Sequence, residues 1–319
     1  MNTIRRIAAL AAAVVAVSVS GPAAAETRVT YKSAKSTSSY YQMAVQIAEA
    51  VKTGSKGAVI VTVEESQGSV QNVKEAAARG GAYVFTTPPA LIRQAMAGEK
   101  AFAPKNPAFD KIRALFPIPA LTMHYVVRAD ADVKTFADLA GKTFIIGKGS
   151  FGAREAEANF KLFGLEGKVK LANVELNAAV PALKNGQVQG FATAGSYPAP
   201  NVLEAAASLP VRLLSMSDAQ VKATKRTRLV IPKGTYPGVD EDTVTTSLPV
   251  GAYTTTGMDE QTAYLLTKIF WTRKAEMAKA NPWWAGVKLD MLGTLAGKLH
   301  PGALRYYQEA GVAVPDALK

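Results

Sequence analysis

The chain has 319 residues, with 37 Lys and Arg against 25 Asp and Glu, a formal charge of +12. It contains no cysteine, which excludes disulfides, thiolate metal sites and a cysteine nucleophile. Its two histidines, His124 and His300, are too few and too far apart for a histidine metal cluster.

At the N-terminus, Arg5 and Arg6 precede an apolar run from Ile7 to Val19, followed by Ser20-Gly21-Pro22 and then Ala23-Ala24-Ala25. A charged stretch, an apolar stretch and a small-residue cleavage site predict an export signal over residues 1–25, cut near Ala25/Glu26. The 13-residue run is shorter than the roughly 20 residues needed to span a bilayer. Cleavage leaves 294 residues, enough for two domains with their own cores, and 35 cations against 25 anions, about +10. With no cysteine after the cleavage site, a lipid anchor has nothing to acylate, so the expected product is a soluble periplasmic protein. An exported chain with dispersed cations is a poor candidate for nucleic acid. The densest cluster, Lys222, Lys225, Arg226 and Arg228, reads as a solvated helix end or loop.

Short β-rich runs then alternate with helical patterns. Ala58–Val63 reads as a strand and Ser69–Arg79 as a helix with Ser69 as N-cap. Ala82–Thr86 reads as a strand, and Pro88–Ala97 as a helix entered through prolines. Strand candidates follow at Thr143–Ile146, Val169–Leu176, Gly190–Thr193 and Val211–Ser215. Helical runs at Ala153–Phe163, Ala178–Asn185 and Pro198–Ser208 separate them. Val244–Thr254 is extended, Asp259–Ala280 is one long helix capped by Asp259, and shorter helices complete the chain from Leu289. The alternation predicts an α/β fold with largely parallel sheets.

Open α/β sheets bind ligands outside the carboxyl ends of their strands, so the loops there supply the candidate contacts. The first is the polar loop Lys32–Ser39, with Lys32 or Lys35 as a formal charge and Ser33, Ser36, Thr37 and Ser38 as hydrogen-bonding groups. At the next strand-to-helix junction stand Gln67, Gly68, Ser69 and Asn72. Thr86 and Thr87 end the following strand, and Gly195, Ser196 and Tyr197 occupy the matching position further along. Gly147-Lys-Gly-Ser-Phe-Gly152 is a G-x-G-x-x-G after a strand, and Glu175 lies at the distance where a dinucleotide fold places its ribose acid. The loop has two further readings. One is a tight turn; the other is a cradle in which Gly149, Ser150, Phe151 and Gly152 present backbone N–H groups to an anion. Arg154 could clamp a carboxylate or form a surface ion pair. Tyr40, Phe151, Tyr197 and Tyr236 are candidates for an aromatic wall.

Five segments together resemble the TAXI family, solute receptors of one class of TRAP transporters. They are Val29–Ala44 with Tyr40-Tyr41, Ser66–Asn72, Met123–Arg128, Ile231–Tyr236, and Leu299–Ala303 followed by Tyr306, Tyr307 and Glu309. Asp138–Lys142 followed by Thr143–Gly147 also looks like a segment of two-lobed, type II periplasmic binding proteins. The chain departs from the family in loops where ligand contacts are expected. Its first loop, Lys32–Ser39, lacks glycines; the second-lobe loop reads Gly149–Gly152; and Gly190 stands where an acid is usual. The resemblance implies two α/β lobes, each with a mixed sheet and flanking helices, joined by a hinge. Residues 26–122 plus 248–319 would form lobe one and 123–247 lobe two. It further implies one small organic anion, such as an amino acid or dicarboxylate, held in the cleft and delivered to a membrane-embedded TRAP permease. No cofactor, metal or catalytic residue is expected. The alternative is an exported α/β enzyme acting on a small carboxylate, although no G-x-S-x-G elbow is present.

Overall fold

A computed structural model describes residues 26–319. The export signal predicted over residues 1–25 lies outside the described residues.

The chain opens with β1 (Thr27–Lys32), α1 (Ser39–Gly54), β2 (Val59–Glu64), α2 (Ser69–Ala76), β3 (Tyr83–Thr87) and α3 (Pro89–Ala97). β1 pairs in parallel with both β2 and β3, so this βαβα run forms one wing with its loops at the carboxyl edge. β4 (Ile112–Arg128) then runs for 17 residues through the middle of the molecule. β5 (Thr143–Ile145), α4 (Phe151–Leu162), β6 (Lys170–Ala172), α5 (Ala179–Lys184) and β7 (Gly190–Gly195) build a second wing, in which β5 pairs in parallel with β6 and β7. α6 (Pro200–Ser208), β8 (Val211–Leu213), α7 (Asp218–Thr224) and β9 (Thr227–Ile231) complete it. β10 (Thr243–Thr255) returns antiparallel to β4. α8 (Glu260–Ala280), β11 (Lys298–Leu299) and α9 (Pro301–Glu309) then pack back onto the first wing.

The strand order is β2-β1-β3-β10-β4-β7-β5-β6, with β8 and β11 on β4 and β9 on β10. All eleven strands among the described residues belong to one hydrogen-bonded mixed sheet, which corrects the expectation of two separate sheets. The cause is the length of the crossing strands. β4 pairs with β10 over its first part and with β7 over Thr122–Val127, carrying the ladder from one wing into the other. The ladder is interrupted at the crossing. Pro117, Pro119 and Pro249 have no N–H to donate, and the β4–β10 register shifts between Leu248 and Val250.

The local rules hold at several helix starts. Asp259 caps α8 by accepting from Thr262 N at 2.8 Å, and Pro88 precedes α3 with Pro89 at its first position. Ser69 is a correction: it is the first helical residue of α2, and the cap is Gly68 at φ 117° with no side-chain bond. The predicted strand Val169–Leu176 shrinks to Lys170–Ala172, because the chain leaves the sheet edge and turns into a 3₁₀ turn at Leu176–Ala178. Of the basic cluster, Arg226 pairs with Glu155 at 2.7 Å and Arg228 with Asp218 at 3.3 Å; Lys225 sits in the left-handed turn ending α7.

The C-terminal third closes the first wing with aromatics. Phe270 of α8 stacks on Phe116 of β4 with centroids 4.0 Å apart, and Tyr307 of α9 donates to Leu115 O at 2.9 Å. Among the described residues no helix is long and apolar enough to cross a membrane.

Candidate ligand-binding site

Parallel pairing points the carboxyl ends of β1, β2 and β3 at one edge of the first wing and those of β5 and β7 at the facing edge of the second. A cavity of about 50 Å³ lies between them. The first wing lines it with Ala34, Lys35, Ser38, Tyr40, Gly68, Ser69 and Pro88; the second with Ile146, Ser150–Gly152, Leu176 and Ala192–Ala194. Leu121 of β4 and Val250 of β10 form the floor at the crossing.

Three helices begin at this cavity, α1, α2 and α4. Ser38 caps α1 by accepting from Tyr41 N at 3.2 Å, and Ser150 caps α4 by accepting from Ala153 N at 2.9 Å. α2 has no side-chain cap, because its cap position is Gly68. Converging N-termini create a positive potential and leave N–H donors available to an anion. The buried Tyr40 hydroxyl donates to Pro119 O at 3.1 Å, which fixes the ring against the crossing strand. Burial pushes its phenol well above the usual range, so it stays neutral.

Contacts between the wings close the cleft at two places. At the mouth, Glu175 of the second wing pairs with Lys35 Nζ at 2.9 Å and accepts from Gln67 Nε2. These two partners hold its carboxyl below the ordinary value, Lys35 contributing most. The acid that a dinucleotide fold would aim at ribose therefore reaches across the cleft to a cation instead. Deeper in, Ser196 N donates to Ser39 Oγ at 2.9 Å, and Ser196 Oγ donates to Ala120 O at 2.7 Å. Gly195 permits this approach, since a Cβ there would lie 2.5 Å from Ser39 Oγ.

The cavity thus gathers Ser38, Tyr40, Gly68, Ser69, Ser150, Phe151 and Gly152 from the predicted set. Gln67 and Gly149 meet at its rim, where a Cβ on Gly149 would lie 3.7 Å from the Gln67 side chain. The other predicted residues are placed elsewhere. Lys32 is turned back to Glu75 at 2.9 Å, and Ser33 Oγ donates to Tyr40 O at 2.7 Å. Ser36 is exposed, its N–H bound to Glu65 at 2.7 Å; Thr37 lies outside the lining with its hydroxyl unpartnered. Asn72 donates to the carbonyls of Ser33 and Thr86 at 2.7 and 3.0 Å, pinning two loops from behind. Thr86 donates to Tyr31 and Thr87 to Pro88 O, both within the first wing. Arg154 is exposed and lines a second hollow with Lys148, Gly149 and Ser150.

Tyr197 and Ser196 line a different space, an open groove of about 520 Å³ walled by Pro198, Trp283 and Met291. Ala120 and Thr122 face this groove whereas Leu121 faces the cleft, so it lies on the opposite side of β4. Tyr236 is buried in the second wing. Its hydroxyl accepts from Ala199 N at 2.8 Å and donates to His124 Nε2 at 2.8 Å. His124 Nδ1–H then donates to Thr122 O at 3.1 Å, which fixes the neutral imidazole, and burial pushes its pKa down to about 4. His300 caps α9, accepting from Gly302 N at 3.2 Å. Sequence reasoning missed Leu121, Ala192, Thr193, Ala194 and Val250 as lining residues. They lie along strands rather than in loops, and only the long-range register brings them together.

Comparison with known proteins gives the same frame. The model of the NMT1-like family matches residues 32–311. The chain belongs to the NMT1-like family. The periplasmic binding protein BugD superposes with a TM-score of 0.56 at 11% identity, covering 91% of this chain and all of that one. A protein of Bordetella bronchiseptica RB50 superposes with a TM-score of 0.51 at 16% identity, covering 90% of this chain and 98% of that one. At such identities the likeness shows the fold, which is the α/β fold of periplasmic binding proteins. This member of the NMT1-like family has its cleft where such open sheets place their ligands, outside the strand carboxyl ends.

Proposed function

We propose that the chain is a periplasmic solute receptor of a TAXI-type TRAP transporter. It captures a small organic anion in the cleft between its wings and presents the closed form to a membrane permease. Export is through the signal over residues 1–25. The family and fold place the chain among binding-protein relatives, and the five quoted segments carry the narrower TAXI reading. The carrying observation is the cavity itself: three helix N-termini converge on it, and Lys35–Glu175 and Ser39–Ser196 tie the facing wings together above and below it.

The mechanism is hinge closure. Residues 26–122 plus 248–319 move as one lobe and 123–247 as the other. The bend falls at the crossing of β4 and β10, where Pro117, Pro119 and Pro249 interrupt the ladder. A ligand that touches both lobes favours the closed state by its differential affinity for it. An enzyme reading finds less support: the Ser38 and Ser150 hydroxyls serve as helix caps, and both histidines are engaged away from the cavity.

The test is a thermal-shift screen over amino acids, dicarboxylates, short monocarboxylates and neutral solutes, with the solute recovered and weighed by mass spectrometry. A receptor is stabilised saturably, contracts in small-angle scattering and returns the solute unchanged. Turnover of a bound solute, or stabilisation without contraction, would sink the proposal.

A further inference from the structure

The lining of the cleft narrows the ligand class, on the premise that the cleft is the receptor site proposed above. Three features of the lining act together: its charge, its apolar floor and its size.

Among the described residues Lys35 is the only charged side chain in the lining, and it is already paired with Glu175 at 2.9 Å. What remains for a ligand is the positive end of α1, α2 and α4, backed by hydroxyls of Ser38, Ser69 and Ser150. Helix N-termini carry fractional charge and suit a single carboxylate. A second carboxylate would enter the same cavity without a free cation to meet it.

An α-ammonium meets a stricter barrier. Among the described residues the lining contains no Asp or Glu. A buried ammonium with no counter-ion is strongly disfavoured, and the helix N-termini that attract the carboxylate repel it. Apart from the Tyr40 and Thr193 hydroxyls, the rest of the wall is apolar, with Leu121, Ile146, Phe151, Leu176 and Val250 its largest members, a surface suited to alkyl groups. At about 50 Å³ the cavity is far smaller than the groove of about 520 Å³ on the other side of β4, which favours a short carbon skeleton.

We infer that the cleft selects a short alkyl monocarboxylate, and that it discriminates against zwitterionic amino acids and against dicarboxylates. Each rejection comes from a missing partner in the lining. It follows that placing a carboxylate in the wall should reverse the first of them.

The experiment is calorimetric titration of the protein purified from the periplasm of an expression host. Four probes share one skeleton: isobutyrate; L-alanine, which replaces a methyl by ammonium; methylmalonate, which replaces a methyl by a second carboxylate; and isobutyramide, which removes the charge. Isobutyrate should bind at least tenfold more tightly than each of the other three. In Leu176→Asp, a half-exposed lining position, L-alanine should gain at least tenfold relative to isobutyrate. L-Alanine or methylmalonate binding the unaltered protein as well as isobutyrate would overturn the inference. If none of the four binds, the broader screen separates the two ideas. Stabilisation by a larger dianion or zwitterion overturns the ligand class and leaves the receptor standing; stabilisation by no solute overturns both.

Discussion

The cleft is closed by two seams of opposite character. At the mouth, Lys35 and Gln67 hold the Glu175 carboxylate, with the Lys35 and Glu175 side chains 19% and 39% exposed. Against the crossing strands, Ser39, Ser196 and Ala120 form a chain of neutral hydrogen bonds that is largely buried. An exposed ion pair contributes little, because water and salt screen it and two long side chains must be ordered to make it. A buried neutral bond contributes modestly when made, but leaving one partner unmet is costly. The deep seam should therefore set the geometry of closure, and the mouth seam should tune it.

Acid offers the largest separation between the two. The strand that receives the deep seam also carries His124, held neutral by Tyr236 and Thr122, with its pKa lowered to about 4 by burial. In the unfolded chain a histidine titrates near 6.5. Between these values the unfolded state binds the proton more readily, so this stabilisation is complete above pH 6.5 and is lost as pH falls toward 4. The loss amounts to about 3 kcal/mol. Urea unfolding at pH 7 and pH 4.5 should show most of it, and His124→Gln should flatten the dependence. Glu175 behaves differently. Its carboxyl is held below the ordinary value, so the mouth seam survives that interval and fails only as pH falls through the carboxylate range. A protein whose stability is level from pH 7 to 4.5 would contradict the neutral His124 assignment.

A wedge tests the deep seam directly. Gly195→Val places a branched side chain where even a Cβ would lie 2.5 Å from Ser39 Oγ. Overpacking of this kind costs on the order of 1–3 kcal/mol, or about fivefold to 150-fold in the affinity of a ligand that requires closure. Scattering should show a larger radius of gyration with ligand present, and the melting temperature should report whether the fold survives. Wild-type affinity in this variant would remove the deep seam from the closing surface.

How far these features could be read from the sequence depends on the range of the interaction behind each. The cap Asp259 and the proline entry to α3 follow from residues within a turn of each other, and the structure places them as the residue types require. The loops at strand ends were legible for the same reason. Their side chains were not. Ser33, Asn72 and Thr86 all offer polar groups at the right loops, yet each is turned into its own wing, because nearby backbone groups must be satisfied first. The crossing strand β4 was hidden over residues 112–122 by Pro117 and Pro119, which read against a central strand until β10 and β7 are seen pairing around them. Leu121 and Val250 become neighbours in the cavity floor only through that register.

The smallest effect belongs to the mouth. Glu175→Gln keeps the shape of the side chain and removes its charge. For a pair that is partly open to water the closed state should lose less than about fivefold in isobutyrate affinity. Raising salt from 0.1 to 0.5 M should mimic the substitution in the unaltered protein and do little in the variant, since the screened pair is already gone. The substitution also releases Lys35, which lines the cavity and would then present an uncompensated cation to it. Methylmalonate should therefore gain relative to isobutyrate in Glu175→Gln, even if both bind slightly more weakly. A loss beyond tenfold for isobutyrate, with no relative gain for the dianion, would mean that the mouth pair holds the closed state and that the ranking of the two seams is inverted.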